Sequence, residues 1–414
     1  MRMKKDLLAA ALTLLSASLC FGDLPGYMAI RDATQFRRGL VVVVGCDDAQ
    51  WLHEFSEQAN SVVQALHTDI SVVQQMRNYL SDRGAYGRIS VKHWRSSDLL
   101  PYHDNLINLV VAENSEGIND EIVRVLAPNG KLYHKQGAGW TVLEKPRPSN
   151  IDDWTHYTYD ASGNPVSSDS VAGAPHSLQW ITSPRYTRSH DYMASVTGCV
   201  SAGGRLFYIV DLGSHASIHY DSRWKLYAVD AFNGMPLWEK DILEWEDRYT
   251  KFLSTPRNLA RSLVAHDSRV FTMLSIHGPV VALDAEDGTP LVTYEGTHDA
   301  EEIVYHNDVL LIVTRDRSDE GKQEYLKAFD ATTGNRLWQN SSQKHIQDLS
   351  VAAKGDYVVY NDHKTFRCVD LGDGEEYWSK SLGKGNNASV LIHGDVVLFC
   401  NQGDGTQGRA KTAF

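Results

Sequence analysis

Ala228-Val229-Asp230-Ala231-Phe232-Asn233-Gly234-Met235-Pro236-Leu237-Trp238 is a phrase that this chain writes four times. It returns as Ala282-x-Asp284-x-x-x-Gly288, as Ala328-x-Asp330-x-x-x-Gly334-x-x-x-Trp338 and as Cys368-x-Asp370-x-x-x-Gly374-x-x-x-Trp378. A run of β-formers leads into each copy, at 224–229, 280–283, 325–329 and 366–369. Asp can bond the backbone of a tight turn and Gly can take positive φ, so Asp-x-x-x-Gly reads as a hairpin turn. The strand after the turn brings a Trp able to fill the gap between neighbouring sheets. The second copy has Val292 and Tyr294 in that place. A further hairpin precedes each copy, at 206–210, 270–274, 309–313 and 357–360, and a fifth at 390–399 has no phrase after it. Four strands per unit, repeating every 40 to 55 residues or so, predict a β-propeller. Lys411-Thr412-Ala413-Phe414 align with Leu326-Lys327-Ala328-Phe329. The next Asp would then follow Phe414. The expectation is a truncated propeller of about four complete blades and part of a fifth, with open sheet edges.

The rest of the 414 residues bounds the answer. A hydrophobic content of 42% is ample for buried cores, and a net charge of -12 argues against nucleic acid or an anionic membrane as partner. Arg2, Lys4 and Lys5 precede a short apolar run at 7–19, which reads as an export signal over 1–22 and places the protein in the periplasm or at the cell surface. Beyond that signal no stretch is long enough to span a bilayer. The five cysteines, Cys20, Cys46, Cys199, Cys368 and Cys400, show no paired spacing, so no disulfide framework is expected.

Between the signal and the repeats lies a unit at 23–148 that alternates strand and helix. Strands are predicted at 40–44, 62–66, 89–93 and 106–112, with a fifth starting at 131–134. Helices are predicted at 51–60, 72–83 and 121–126. The pattern predicts a doubly wound parallel sheet. Three phrases carry a family likeness: Val43-Val44-Gly45-Cys46-Asp47, Asp98-Leu99-Leu100-Pro101-Tyr102-His103-Asp104-Asn105 running into Ile107-Asn108-Leu109-Val110, and Arg124-Val125-Leu126-Ala127-Pro128-Asn129-Gly130. Together they resemble the class I S-adenosylmethionine (SAM) methyltransferases, a Rossmann-like fold. The resemblance implies a pocket in which Gly45 admits the cofactor, Asp69 bonds its ribose, Asp98 meets its adenine and Glu113 flanks it. The loop departs from the family's acidic-x-Gly-x-Gly-x-Gly pattern, with Asp47 and Ala49 at glycine positions. A carboxylate at Asp47 would face the anionic end of the cofactor, so no SAM binding is expected.

Pro146-Arg147-Pro148-Ser149-Asn150 marks a stiff boundary. A linker and propeller lead-in at 149–195 follows, and the partial propeller occupies 196–414. Within the lead-in, residues 176–180 read as the tail of a blade, as if the N-terminal side helped to close the ring. The repeats resemble the PQQ-type (pyrroloquinoline quinone) repeats of quinoprotein alcohol dehydrogenases and of the outer-membrane assembly propeller. The arrangement as a whole looks like large exported propeller proteins of environmental bacteria. For a quinoprotein the resemblance implies a Ca²⁺ site, a Trp stacked on the quinone and, in many cases, adjacent cysteines. No Cys-Cys pair occurs, and the repeat Trp residues are accounted for as blade packing.

His156, Arg185, Arg188, His190, Asp191, Arg257 and Arg261 are candidates for the propeller mouth, where they could hold an anionic ligand. His215 and His219 lack the Glu of H-E-x-x-H. His266, His306 and His393 occupy equivalent blade turns, so no metal site is expected. The reading is an exported binding or scaffold propeller, with an unknown protein or small-molecule ligand at its face, behind a degenerate methyltransferase-like domain. The alternatives are a SAM-dependent methyltransferase and a PQQ-dependent alcohol or sugar dehydrogenase.

Overall fold

In the computed structural model the valine-rich run Leu40–Val44 becomes β1, the centre of a six-stranded sheet. The structure describes residues 24–95, 99–188, 196–217, 220–243, 259–275, 277–315, 323–342, 345–363, 365–381, 387–402 and 409–413. They divide into two compact units, which meet in sequence at Lys145 and Pro146.

The first unit continues with β2 (Val62–His67), β3 (Ile89–His93), β4 (Ile107–Ala112), β5 (Leu126–Gln136) and β6 (Gly139–Glu144). The sheet order is β3-β2-β1-β4-β5-β6, with β1 to β5 parallel and β6 antiparallel to β5. The antiparallel edge strand and the first helix, α1 (Tyr27–Thr34), were not expected from the sequence. Helices α2 (Ala49–Ala59), α3 (Ile70–Asp82) and α4 (Asn119–Val125) follow β1, β2 and β4. Because side chains alternate along a strand, β1 feeds two cores. Val41 and Val43 pack with Leu52, Phe55, Val73 and Met76 on one face, and Val42 and Val44 pack with Ile118, Ile122 and Val125 on the other.

Among the described residues the second unit holds four four-stranded antiparallel sheets and one of three strands. Blade 1 is Val196–Ala202, Arg205–Asp211, Trp224–Asp230 and Pro236–Ile242. Blade 2 is Val264–His266, Arg269–Met273, Val280–Asp284 and Pro290–Tyr294. Blade 3 is Ala300–His306, Val309–Arg315, Glu324–Asp330 and Arg336–Ser342. Blade 4 is Ala352–Lys354, Tyr357–Asp362, Thr365–Asp370 and Glu376–Ser381. Blade 5 is Asn387–His393, Val396–Gln402 and Arg409–Ala413. The first strands of successive blades touch one another and line the inside of the unit.

The repeated phrase turns out to be an interlock between blades. Oδ1 of each repeat Asp accepts the N–H two residues on: Phe232 for Asp230, Glu286 for Asp284, Thr332 for Asp330 and Gly372 for Asp370. Gly234, Gly288, Gly334 and Gly374 close the turns at φ of +70 to +77°. A side chain from the preceding blade or from the lead-in lies on that glycine. A Cβ added at Gly288 would sit 2.8 Å from the Trp238 ring, and one at Gly374 2.7 Å from the Trp338 ring. Trp238 Nε1 donates to the Ala285 carbonyl at 3.0 Å and Trp338 Nε1 to the Leu371 carbonyl at 2.8 Å, each the residue after the repeat Asp. Blade 2 has no such Trp, yet the bond persists: the Tyr294 hydroxyl donates to the Ala331 carbonyl at 2.6 Å, and Val292 fills the space over Gly334. Trp180, in the lead-in, does the same for blade 1, donating to the Ala231 carbonyl at 3.2 Å with its ring over Gly234. In blade 5, Ala413 pairs with Val397, one residue away from the register implied by the pairing of Ala328 with Leu311.

Candidate functional site

An inner strand has a ladder partner on one side only, so some of its N–H groups face the axis and need an acceptor. Residues 152–163 supply it. This strap crosses the inner strands and accepts one N–H from each of the five blades. Trp154 O takes Ser201 N–H (2.7 Å), Thr155 O takes Ala265 N–H (3.0 Å), His156 Nε2 takes Tyr305 N–H (3.0 Å), Ala161 O takes Ala353 N–H (2.8 Å) and Ser162 O takes Ile392 N–H (2.8 Å). Every donor is the penultimate residue of its blade's first strand. The strap is shaped by a tight loop in which Thr155 and His156 N–H both donate to the Tyr159 carbonyl, with Tyr159 itself at φ +74°. The Asp152 carboxylate anchors the loop by accepting from the Tyr159 hydroxyl (2.7 Å) and from Ser168 N–H (2.6 Å).

His156 is the buried centre of the strap. Since Nε2 accepts from a backbone N–H, the proton of the neutral ring lies on Nδ1, which donates to Thr155 Oγ1 at 2.7 Å. Burial, then His266 and His306 nearby, push its pKa down to about 3, so the ring stays neutral at ordinary pH. Beside it opens a polar cavity of about 580 Å³, lined in part by Asp153, Asp160, His266, Tyr305, His306 and His393. The three histidines of the equivalent blade turns therefore meet at one cavity. Among the described residues no group of three or more His, Cys, Asp or Glu side chains is arranged to hold a metal ion.

Arg261 shares a small pocket with the strap residues His156, Asp160 and Ala161. It is buried and faces Glu302 at 3.6 Å and Asp348 at 3.0 Å. Glu302 also accepts Leu349 N–H at 2.9 Å, and burial, opposed by Arg261, raises its carboxyl to about 7. Arg188 is buried in blade 1. It donates to the carbonyls of Ser214, Tyr220 and Asp221 and faces Asp211 at 3.3 Å. Both guanidinium groups thus answer charges and carbonyls of the chain itself. Arg185 is exposed, and His190, Asp191 and Arg257 lie outside the described residues. Sequence reasoning missed Glu301 and Glu302. Their signal was two acids inside an apolar strand, both buried because a bulge between Ala300 and Glu302 shifts the register.

In the first unit, Gly45, Asp69 and Glu113 come to the C-terminal ends of β1, β2 and β4, where open α/β sheets bind ligands. Gly45 has φ +79° and nothing within 4 Å of an added Cβ, so the backbone angle alone asks for glycine. Asp47 is exposed, and its neighbour Asp48 accepts the N–H groups of Gln50 and Trp51 at 2.9 Å each. The N-terminus of α2 therefore already holds a carboxylate. Asp69 caps α3, taking both the N–H (2.7 Å) and the hydroxyl (2.6 Å) of Ser71, and these bonds hold its carboxyl below the usual range. Asp98 lies outside the described residues.

The unit at the front is methyltransferase-like in fold, and the repeats form a PQQ-like propeller region. Residues 222–402 match the family model described as outer membrane protein assembly factor BamB. Among solved structures, the chain is similar to a putative SAM-dependent methyltransferase of Methanococcus maripaludis. The identity is 21% and the TM-score 0.25, covering 27% of this chain and 53% of the other. It is similar to BamB from Moraxella catarrhalis at 18% identity and a TM-score of 0.32, covering 52% and 59%. It is also similar to a quinohemoprotein alcohol dehydrogenase of Pseudomonas putida at 14% identity and a TM-score of 0.36, covering 64% and 46%. The chain thus spans roughly half the length of each of these proteins. No curated protein matches.

Proposed function

We propose that this chain is an exported binding or scaffold protein whose propeller serves as an interaction platform, behind a methyltransferase-like module that takes no SAM. The strap carries this reading. The place where the inner strands converge is filled by the chain's own backbone, bonded to all five blades, with a neutral His156 at its centre. A propeller tied together in this way offers its faces and blade edges to partners, with the polar cavity beside His156 opening among the ends of the inner strands. The match to an assembly factor's family model supports the same reading. Arg2, Lys4, Lys5 and the apolar run after them support export. Among the described residues no helix is long and apolar enough to cross a membrane.

Two assays separate this reading from its rivals. With a carboxylate already seated at the N-terminus of α2 and Asp69 engaged as a cap, the first unit does not fit an anionic cofactor tail. Calorimetric titration of the whole chain with SAM is expected to give no binding heat. A micromolar dissociation constant, abolished by Asp69→Ala, would promote the methyltransferase reading. Reconstitution with PQQ and Ca²⁺ over a panel of alcohols and sugars is expected to give no dye reduction, because Trp238 and Trp338 are engaged between blades and the sequence has no adjacent cysteines. Robust turnover there would sink the scaffold reading.

A further inference from the structure

We propose that the polar cavity beside His156 binds an uncharged, polyhydroxylated ligand, a small saccharide. This names a ligand class for the binding reading above and rests on it. The cavity, of about 580 Å³, lies where the strap meets the ends of the inner strands, and its size suits a small molecule. The last residue of the first strand is His266 in blade 2, His306 in blade 3, Lys354 in blade 4 and His393 in blade 5, and all four line the cavity. Four blades thus bring a nitrogen-bearing side chain to one space. The strap adds the carboxylates of Asp153 and Asp160, and the hairpin of blade 2 adds that of Asp267.

The hydrogen-bonding groups left over decide the ligand class. His156 offers none, because both its ring nitrogens are engaged. His306 Nε2 donates to the Gly355 carbonyl at 3.1 Å, and burial favours its neutral ring, so Nδ1 is presented as an acceptor. Asp160 gives Oδ1 to the N–H (2.9 Å) and the hydroxyl (2.6 Å) of Ser162, and its Oδ2 is left to accept. Asn307 donates through Nδ2 to the Gly355 carbonyl at 3.4 Å and keeps its carbonyl oxygen. Lys354 spends one N–H on the Gly394 carbonyl at 3.1 Å and keeps two to donate. A ligand must therefore donate at some points of the wall and accept at others. An inorganic anion only accepts, and it would face three carboxylates. An ammonium only donates, and it would face Lys354. A hydroxyl does both without charge, and a sugar carries several side by side. Ala353 and Ile392 supply apolar wall for its C–H groups.

The test is titration calorimetry of the whole chain against a panel of neutral mono- and disaccharides, with inorganic phosphate and spermidine as charged probes. At least one sugar is expected to bind saturably, with a dissociation constant of roughly millimolar or tighter. Lys354→Met and Asp160→Asn are each expected to weaken that binding at least about tenfold. Lys354 is exposed, and asparagine keeps the oxygen that Ser162 uses, so unchanged near-ultraviolet dichroism is expected of both variants. Absence of sugar binding would overturn the proposal, as would binding that neither substitution weakens. Phosphate or spermidine bound more tightly than any sugar would overturn it in favour of a charged ligand. None of these results touches the scaffold reading, which falls instead on dye reduction with PQQ.

Discussion

Gly374→Val is expected to be among the most damaging single changes in the propeller. Gly374 sits at φ +74°, where a β-branched residue is strained by about 1–2 kcal/mol. Its Cβ would also stand 2.7 Å from Trp338, and overpacking of that kind costs a further 1–3 kcal/mol or so. The combined loss, about 2–5 kcal/mol, is a large share of the marginal stability of a domain. Gly355→Val is the control, since Gly355 also has positive φ, at +57°, but nothing within 4 Å of an added Cβ. Urea unfolding followed by near-ultraviolet dichroism reads both variants. The drop is expected to be clearly larger at Gly374 than at Gly355, and equal drops would mean that the indole contact contributes little.

The second large effect concerns the strap. His156→Ala leaves the part-buried Tyr305 N–H without its acceptor, at a cost of about 1–3 kcal/mol. His156→Gln, whose Oε1 can take that N–H, is expected to recover part of the loss. Both variants also differ from histidine in how stability follows pH. His156 titrates near 3 in the folded protein against 6.5 for a free imidazole, so the unfolded chain takes up the proton first. Its contribution is complete above about pH 6.5 and is lost as pH falls towards 3, with a slope of up to about 1.4 kcal/mol per pH unit. Glu302, raised to about 7 by burial, acts in the opposite sense and loses stability as pH rises from 4.5. The comparison must therefore be made between wild type and His156→Gln at each pH. The wild type is expected to lose its advantage steadily on acidification from pH 6.5. A difference that stays constant with pH would mean that His156 is accessible to protons in the folded state.

Much of the fold was legible in the chain because its causes are local. Each Asp-x-x-x-Gly turn is built from hydrogen bonds spanning two to five residues, and the strand before it is a local run of β-forming residues. The same holds for β1 to β4, whose apolar runs placed the strands to within a residue at their ends. Repetition did the rest: a hairpin that cannot bury both faces alone must stack on its neighbours. The two fold types and the interlock Trp residues follow from the sequence in this way.

Only the tertiary structure decided where these local pieces meet. The bond between His156 and Tyr305 joins residues 149 apart, and a contact of that span leaves no periodic trace in either stretch. Tyr294 could be seen to replace a Trp, but its hydroxyl reaching the Ala331 carbonyl depends on how blade 3 docks on blade 2. The charged candidates show the limit most clearly. Arg188 and Arg261 read as free cations at a mouth, and they became internal partners once Asp211 and Glu302 were brought beside them. Sequence records which groups carry charge or can donate a bond. Whether such a group is open to a ligand or already answered from within depends on which partner the fold brings beside it, and that is set in three dimensions.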